Sequence, residues 1–389
     1  MKKLLALLLA LAMIVSLGAC ASGGSDDTSA NQPSQSTDTK TDDGANSGDA
    51  AADDAKTDAP KDDTVYNFVA STHTPSTTTA TVIFQNILDE ITERSDGRIQ
   101  FELYTDGTLA AADGIIDALD SGIADVAMVN YSRQSGRLDL FGVVSNPAIF
   151  TNPWEGTKAF MELYDTVPAL KEQLEGVGMH MMGVQLGTSS VVMSKEPVND
   201  ISDLAGKRVI TGTDAITDIL TSVGATPLSF SNTEAYEALS KGTADAIASN
   251  SLSGAVGFGM QEVAKYVYDI NLGVGPMLFT ISNSAYDKLP ADLQEMIDEV
   301  AREYVPDVVY KLYVLEEGKE TTTMQTLEDA GVTIVEPTEE QVADFQAKYG
   351  EPIWDKWVSE READGYTDAR ELMDTLVELC GKYAGTCPF

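Results

Sequence analysis

One segment of the chain is written twice. Residues 118–130 read ALDSGIADVAMVN and residues 238–250 read ALSKGTADAIASN. Ala118/Ala238, Leu119/Leu239, Gly122/Gly242, Ala124/Ala244, Asp125/Asp245 and Asn130/Asn250 coincide. Each copy reads as the end of an amphipathic helix, a Gly where positive φ costs little, an Ala-Asp turn and a short buried strand. Helix, tight turn and strand in that order build a parallel α/β sheet. Two copies far apart in the chain predict two similar α/β lobes. Each presents the C-terminal end of a strand, where open sheets of this kind take ligands.

The N-terminus has the pattern of an export leader. Lys2 and Lys3 precede LLALLLALAMIV, an apolar run too short to span a bilayer, and Leu17-Gly18-Ala19-Cys20 follows. This is the pattern of a bacterial lipobox, with residues 1–19 removed and lipid carried on Cys20. Residues 20–63 hold eleven Asp against three Lys and no aromatic residue. Such a segment cannot offset its ordering entropy, so it reads as an acidic tether reaching about 35 Å. The expected location is the outer face of the cytoplasmic membrane or the periplasm.

Two further cysteines, Cys380 and Cys387, close the chain in CGKYAGTC. In an exported protein that spacing predicts a disulfide pinning the tail, worth about 2–3 kcal/mol on the chain-entropy estimate. The formal net charge of −37, from 62 acidic and 25 basic residues, argues against nucleic acid and anionic lipid surfaces as partners.

Strands are predicted at Val65–Ser71, Ile99–Tyr104, Gly178–Leu186, Thr188–Ser194 and Met277–Ser282, with a further one near Gly331–Val335. Asp203–Ile210 reads as a short turn into a strand, and an amphipathic helix is predicted from Thr79 to Ser95. From Leu289 the chain is largely helical. No chemistry-bearing pattern emerges. The two histidines, His73 and His180, are not in a metal-ligand spacing, and no nucleophile elbow, phosphate loop or CxxC is present. The chain therefore reads as a binding protein without cofactor or metal.

The order of FELYTDGTLAAADGIIDALDSGIADVAMVN, DISDLAGKRV, GATPLSFSNTEAYEALSKGTADAIASN and ISNSAYDKLPADLQEMIDEVA resembles the solute-binding proteins of TRAP (tripartite ATP-independent periplasmic) transporters. The resemblance implies a two-lobed periplasmic-binding-protein-like fold with hinge strands and a long C-terminal helical segment. Lobe I would comprise 64–186 and about 276–315, and lobe II 187–275 and about 316–389 with the C-terminal helices. It also implies a monomer that closes over one small organic solute and delivers it to TRAP membrane subunits. Service to another importer or to a sensor kinase is the alternative, and a lipid-anchored enzyme a more remote one.

The resemblance places the family's carboxylate-clamping Arg at Ile210, with Arg208 two residues earlier on the same strand face. Its second Arg falls at Ser189, its aromatic ring at Asn232, and its Asn at Ser249 or, with one residue of slip, at Asn250. Arg133, three residues after Asn130, is a cation in a matching position, so Arg208 and Arg133 remain alternatives as anion partner. Ser71 and His73, leaving the first strand, complete the candidate ligand set. A site poor in arginine cannot repay the desolvation of a dicarboxylate. A neutral polar solute or a monoanion paired with Arg133 is expected.

Overall fold

The structure, a computed structural model, describes residues 64–315 and 319–389, with the side chains of residues 232, 233 and 316–321 outside that set. The leader, Cys20 and the tether lie outside the described residues. Eleven strands are described: β1 Tyr66–Ser71, β2 Ile99–Tyr104, β3 Val126–Asn130, β4 Met179–Gln185, β5 Val191–Ser194, β6 Arg208–Thr211, β7 Thr226–Leu228, β8 Ala246–Asn250, β9 Tyr266–Tyr268, β10 Met277–Ser282 and β11 Thr333–Val335. They form two sheets, one ordered β2-β1-β3-β10-β4 and the other β11-β9-β5-β8-β6-β7.

The two sheets are built alike. In the first, β1 runs parallel to β2 and β3, and β10 is antiparallel to β3 and β4. In the second, β6 runs parallel to β7 and β8, and β5 is antiparallel to β8 and β9. Each sheet thus borrows its antiparallel strand from the far side of a chain crossing. β4 leads into β5 of the second sheet, and β9 leads into β10 of the first. The two crossings touch: Ser190 N–H donates to Gly273 O at 2.9 Å and Leu272 N–H to Ser190 O at 3.2 Å. Gly273 has φ +100, and a Cβ there would lie 2.3 Å from Ser145 O, so only glycine lets the crossing pass that close.

The duplicated segment does the same work in each lobe. Gly122 and Gly242 have φ of 73 and 74 and end their helices. Ala124 N–H and Ala244 N–H then donate back to Ala118 O and Ala238 O, at 3.1 and 3.0 Å. Asp125 clasps β1: its N–H donates to Val69 O at 2.8 Å and its carboxylate accepts from Val69 N–H at 3.0 Å. Asp245 clasps β6 through Arg208 O at 2.8 Å and Arg208 N–H at 2.9 Å. A carboxylate accepting a backbone N–H forms a charge-assisted bond, among the stronger ones available. Each turn is thereby locked to the neighbouring strand.

Apolar clusters cover both faces of both sheets. The helix Thr79–Arg94 buries Ile83, Phe84, Ile87, Leu88 and Ile91 against the first sheet, with Phe84 stacked 5.3 Å from Phe279. Burying a side chain of this size contributes about 1.5–3 kcal/mol. The helix Ala291–Glu299 continues through a π turn, Val300–Tyr304, into Val305–Tyr313 on the same face.

The C-terminal helices depart from the expected division. Ala369–Tyr383 packs Leu372, Met373, Leu376 and Cys380 into the first lobe's core beside Phe160 and Leu163, not into the second lobe. Glu351–Ala363 straddles both: Ile353 joins the second lobe's core, while Trp354 and Val358 join the first. Trp354 Nε1–H donates to Pro147 O at 2.8 Å, and Lys356 pairs with Asp218 at 2.5 Å.

The expected disulfide is absent: Cys380 and Cys387 are free thiols. Cys380 faces the core, and burial first and the Glu155 charge second push its thiol up to about 12. Cys387 lies instead beside Tyr310. Phe389 stacks on that ring at 5.6 Å and sits under Lys311 Nζ at 5.0 Å, so an aromatic contact holds the tail.

The clasp is testable by urea unfolding. Asp125→Ala and Asp245→Ala should each cost about 1–3 kcal/mol, because a strand N–H loses its acceptor. Asp117→Ala, which removes only an exposed partner of Arg137, should stay within about 0.5 kcal/mol.

Candidate functional site

The first wall grows from the C-terminal edge of the first sheet. β1 ends at Ser71, which is fully buried, and its Oγ has no hydrogen-bond partner. The loop after it is held from two sides. Thr72 N–H donates to Tyr104 O at 2.9 Å, and the hydroxyls of Thr72, Thr74 and Thr81 form a chain with spacings of 2.9 and 2.6 Å. This fixed loop presents His73, whose Nδ1 is buried without a partner. Burial first, and the Arg133 charge second, hold the His73 imidazole below its ordinary 6.5 against the opposing pull of Asp113. The ring is therefore neutral near pH 7.

β3, beside β1, ends at Asn130. Its Oδ1 accepts from Ser132 N–H at 3.1 Å and Ser132 Oγ–H at 2.7 Å, which turns the chain into the short 3-10 helix Tyr131–Arg133. Arg133 at the end of that turn is exposed and makes no ion pair among the described residues. The other seven described arginines, 94, 98, 137, 208, 302, 361 and 370, each pair with a carboxylate. In a chain with 62 acidic side chains, Arg133 is the described arginine that meets no carboxylate.

The second wall differs from the sequence expectation at several positions. Ser249, near the end of β8, has a buried Oγ without a partner. A Cβ on Gly212 would lie 2.9 Å from Ser249 Cβ, so β6 and β8 meet closely there. Asn250 ends β8 as Asn130 ends β3. Ile210 is fully buried among Met193, Ala235 and Leu239, and lines no cleft. Arg208 is also spent, donating to Asp245 from Nε at 3.0 Å and Nη2 at 2.7 Å, and to Gly242 O at 2.7 Å. It seals the clasp at the opposite end of β6. Asn232 opens the helix Asn232–Ser240, and its side chain lies outside the described set. Ser189 lines a separate cavity of about 570 Å³, with Asn271, Glu336 and Asp269. Burial, and then the Glu336 charge, raise the Asp269 carboxyl.

A groove of about 660 Å³ runs between the lobes. Tyr131, Ser132 and Ser145 line it from the first lobe, and Gly212 to Ala215, Thr217 and Asp218 from the second. Trp357 and Arg361 of the straddling helix form a third side. Neither of these last two is among the residues expected from the sequence. The available signal was the spacing of Trp354, Trp357 and Arg361, which places the three on one helical face.

Two matched sheets, two touching crossings and a groove between the lobes define a two-lobed solute-binding fold. Residues 69–361 match the model of family 7 of the bacterial extracellular solute-binding proteins, and the chain belongs to that family. The 2,3-diketo-L-gulonate-binding periplasmic protein YiaO of Escherichia coli is 23% identical over 275 residues, 70% of this chain and 81% of that one. A TRAP periplasmic solute-binding protein from Desulfovibrio salexigens superposes with a TM-score of 0.73 at 21% identity, covering 83% of this chain and 98% of that one. A marine-metagenome TRAP solute-binding protein specific for aromatic acid ligands, in complex with metahydroxyphenylacetate, gives a TM-score of 0.68 at 22% identity, covering 82% and 99%. The matches to curated relatives span from 64% to 84% of those relatives' lengths.

The depressed His73 pKa carries a sign. Below about pH 6.5 the unfolded chain binds a proton that the folded site resists, so stability is full above that pH and declines below it. His73→Gln should flatten that part of the stability curve, measured as the difference between variant and parent in urea midpoints from pH 5 to 7.5. A parallel pair of curves would contradict the assignment.

Proposed function

We propose that this protein captures a small organic monoacid outside the cytoplasmic membrane and delivers it to the membrane subunits of a TRAP importer. Membership of the family supports the transport role, and the names of relatives that bind a keto sugar acid and aromatic acids support the ligand class. The observation that carries the charge assignment is Arg133, unpaired among the described residues beside a neutral His73. A carboxylate leaving water needs a cation or several strong donors, and Arg133 supplies the cation. Ser71, Asn130 and Ser249 supply smaller polar contacts from the two strand edges. A neutral polar solute would use those contacts alone. With Ile210 in the core and Arg208 in the clasp, a second carboxylate would find no equivalent partner.

Binding and release without chemical change is the proposed activity, performed by a monomer. Lipid on Cys20 is part of the proposal: diacylglycerol supplies two acyl chains, enough for stable retention where one is marginal. Cys20→Ser should release the protein from membranes, and unchanged retention would contradict the anchor.

The charge assignment is tested on the solute that co-purifies, identified by native mass spectrometry. By calorimetry, Arg133→Ala should weaken its binding at least tenfold, about 1.4 kcal/mol. Succinate, fumarate and malate should show no tight binding. An Arg133→Ala effect below about fivefold, or nanomolar dicarboxylate affinity, would overturn the pairing.

A further inference from the structure

The cavity of about 570 Å³ beside Ser189 shares no lining residue with the inter-lobe groove. Its volume is that of a site for a small organic ligand. Two of its acids stand at the C-terminal ends of adjacent parallel strands. β9 and β11 pair Tyr268 with Val335, and Asp269 N–H then donates to Val335 O at 3.0 Å, so Asp269 and Glu336 follow side by side. The Asp269 carboxylate makes no hydrogen bond or ion pair among the described residues. Burial first, and the Glu336 charge second, push its carboxyl up, as an uncompensated pair of like charges does. Asp269 is half-buried and Glu336 exposed, so both are reached from solvent.

A third acid lines the cavity from the first lobe. Glu155 is only 8% exposed. Its Oε1 accepts from Gly385 N–H at 2.8 Å, and its Oε2 has no hydrogen-bond partner among the described residues. No Lys, Arg or His is among the described residues that line this cavity, so an anion entering it would meet three carboxylates and no cation. The polar groups nearby are already occupied. Asn271 donates from Nδ2 to Phe150 O and accepts at Oδ1 from Gly273 N–H at 2.9 Å. Trp354 Nε1–H donates to Pro147 O, which leaves only its ring for a ligand. Phe150 and Phe345 make the wall largely apolar and aromatic. A carboxylate withdrawn from water is costly until a cation or strong donors offset it.

We propose that this cavity is a second ligand site, for a primary organic ammonium ion with an apolar body. The ammonium N–H groups donate to the paired carboxylates of Asp269 and Glu336, in charge-assisted bonds that remove their mutual repulsion. The unpartnered Glu155 Oε2 adds to the field that favours positive charge. The apolar body is buried among Phe150, Phe345 and Trp354, which supplies the hydrophobic part of the binding. The site is separate from the one proposed for the acid, and its ligand carries the opposite charge.

Three tryptophans give three indole N–H signals in a spectrum of the tryptophan-labelled protein, assigned with Trp154→Phe and Trp357→Phe. Titrating the intact protein with 2-phenylethylamine at up to millimolar concentration should shift the Trp354 signal saturably. The signal of Trp357, which lines the groove, should stay in place. By calorimetry, Asp269→Asn should weaken the amine about tenfold, as loss of a charge-assisted contact does. Glu336→Gln alters an exposed side chain without disturbing the fold, and should weaken it about threefold. 2-Phenylethanol, the same body without the charge, should bind the parent about tenfold more weakly than the amine. Arg133→Ala should leave the amine's affinity unchanged. No Trp354 shift, parent affinity in both acidic-site variants, or equal affinity for the alcohol overturns the site. Weakened amine binding in Arg133→Ala overturns it too, by placing the amine with the solute. None of these outcomes bears on capture of the acid, which the co-purified solute tests by itself.

Discussion

A carboxylate gripping a backbone N–H decides where everything functional in this molecule can sit. Asp125 and Asp245 fasten each helix-to-strand turn to the adjoining strand, β1 in one lobe and β6 in the other. With the turn locked, β3 and β8 leave it in a fixed register, and their far ends deliver Asn130 and Ser249 with Asn250. The same device explains the fate of Arg208. A guanidinium with two bonds to Asp245 and one to Gly242 O strengthens the clasp at the far end of its strand and cannot also hold a solute. The charge role is therefore proposed for an arginine outside the clasp, Arg133.

The second constraint is the crossing. Two chain crossings pass between the lobes hydrogen-bonded to each other, and Gly273 lets one of them run against Ser145. The helix Glu351–Ala363 links the lobes a third time, with Ile353 in one core and Trp354 in the other. Lobe closure in such an arrangement is a hinge motion, and a ligand shifts it only by the difference in its affinity for the open and closed states. Contacts from both lobes are thus the condition for coupling. A groove bordered by Tyr131 on one side, Gly212 to Ala215, Thr217 and Asp218 on the other and Trp357 from the linking helix meets that condition.

Much of the frame was legible because it is written in local pattern. β2 and β10 lie at the residues expected for them, and the helix Thr79–Arg94 differs from its expected span by one residue. β7 escaped notice because it is three residues long and contains Pro227, tolerated only because it is an edge strand. β9 is equally short. The helix Ala369–Tyr383 has an apolar face that local pattern assigns to no particular lobe, and its docking beside Phe160 is a long-range choice. The repeat sets Asn130 and Asn250 at matching strand ends, but Ser249, Ile210 and Ser189 were placed by a family register that says nothing of which way a side chain turns. Trp357 and Arg361 sat in a stretch that reads as an ordinary charged helix, and only the fold brings them to the groove.

The central claim is that both lobes grip one small acid and close on it. Small-angle X-ray scattering measures this directly, comparing the protein as purified with solute bound against the same protein unfolded, stripped and refolded. The account predicts a smaller radius of gyration for the loaded protein and recovery of that value when the solute is returned. An identical radius in both states, at concentrations where calorimetry shows full occupancy, would contradict it.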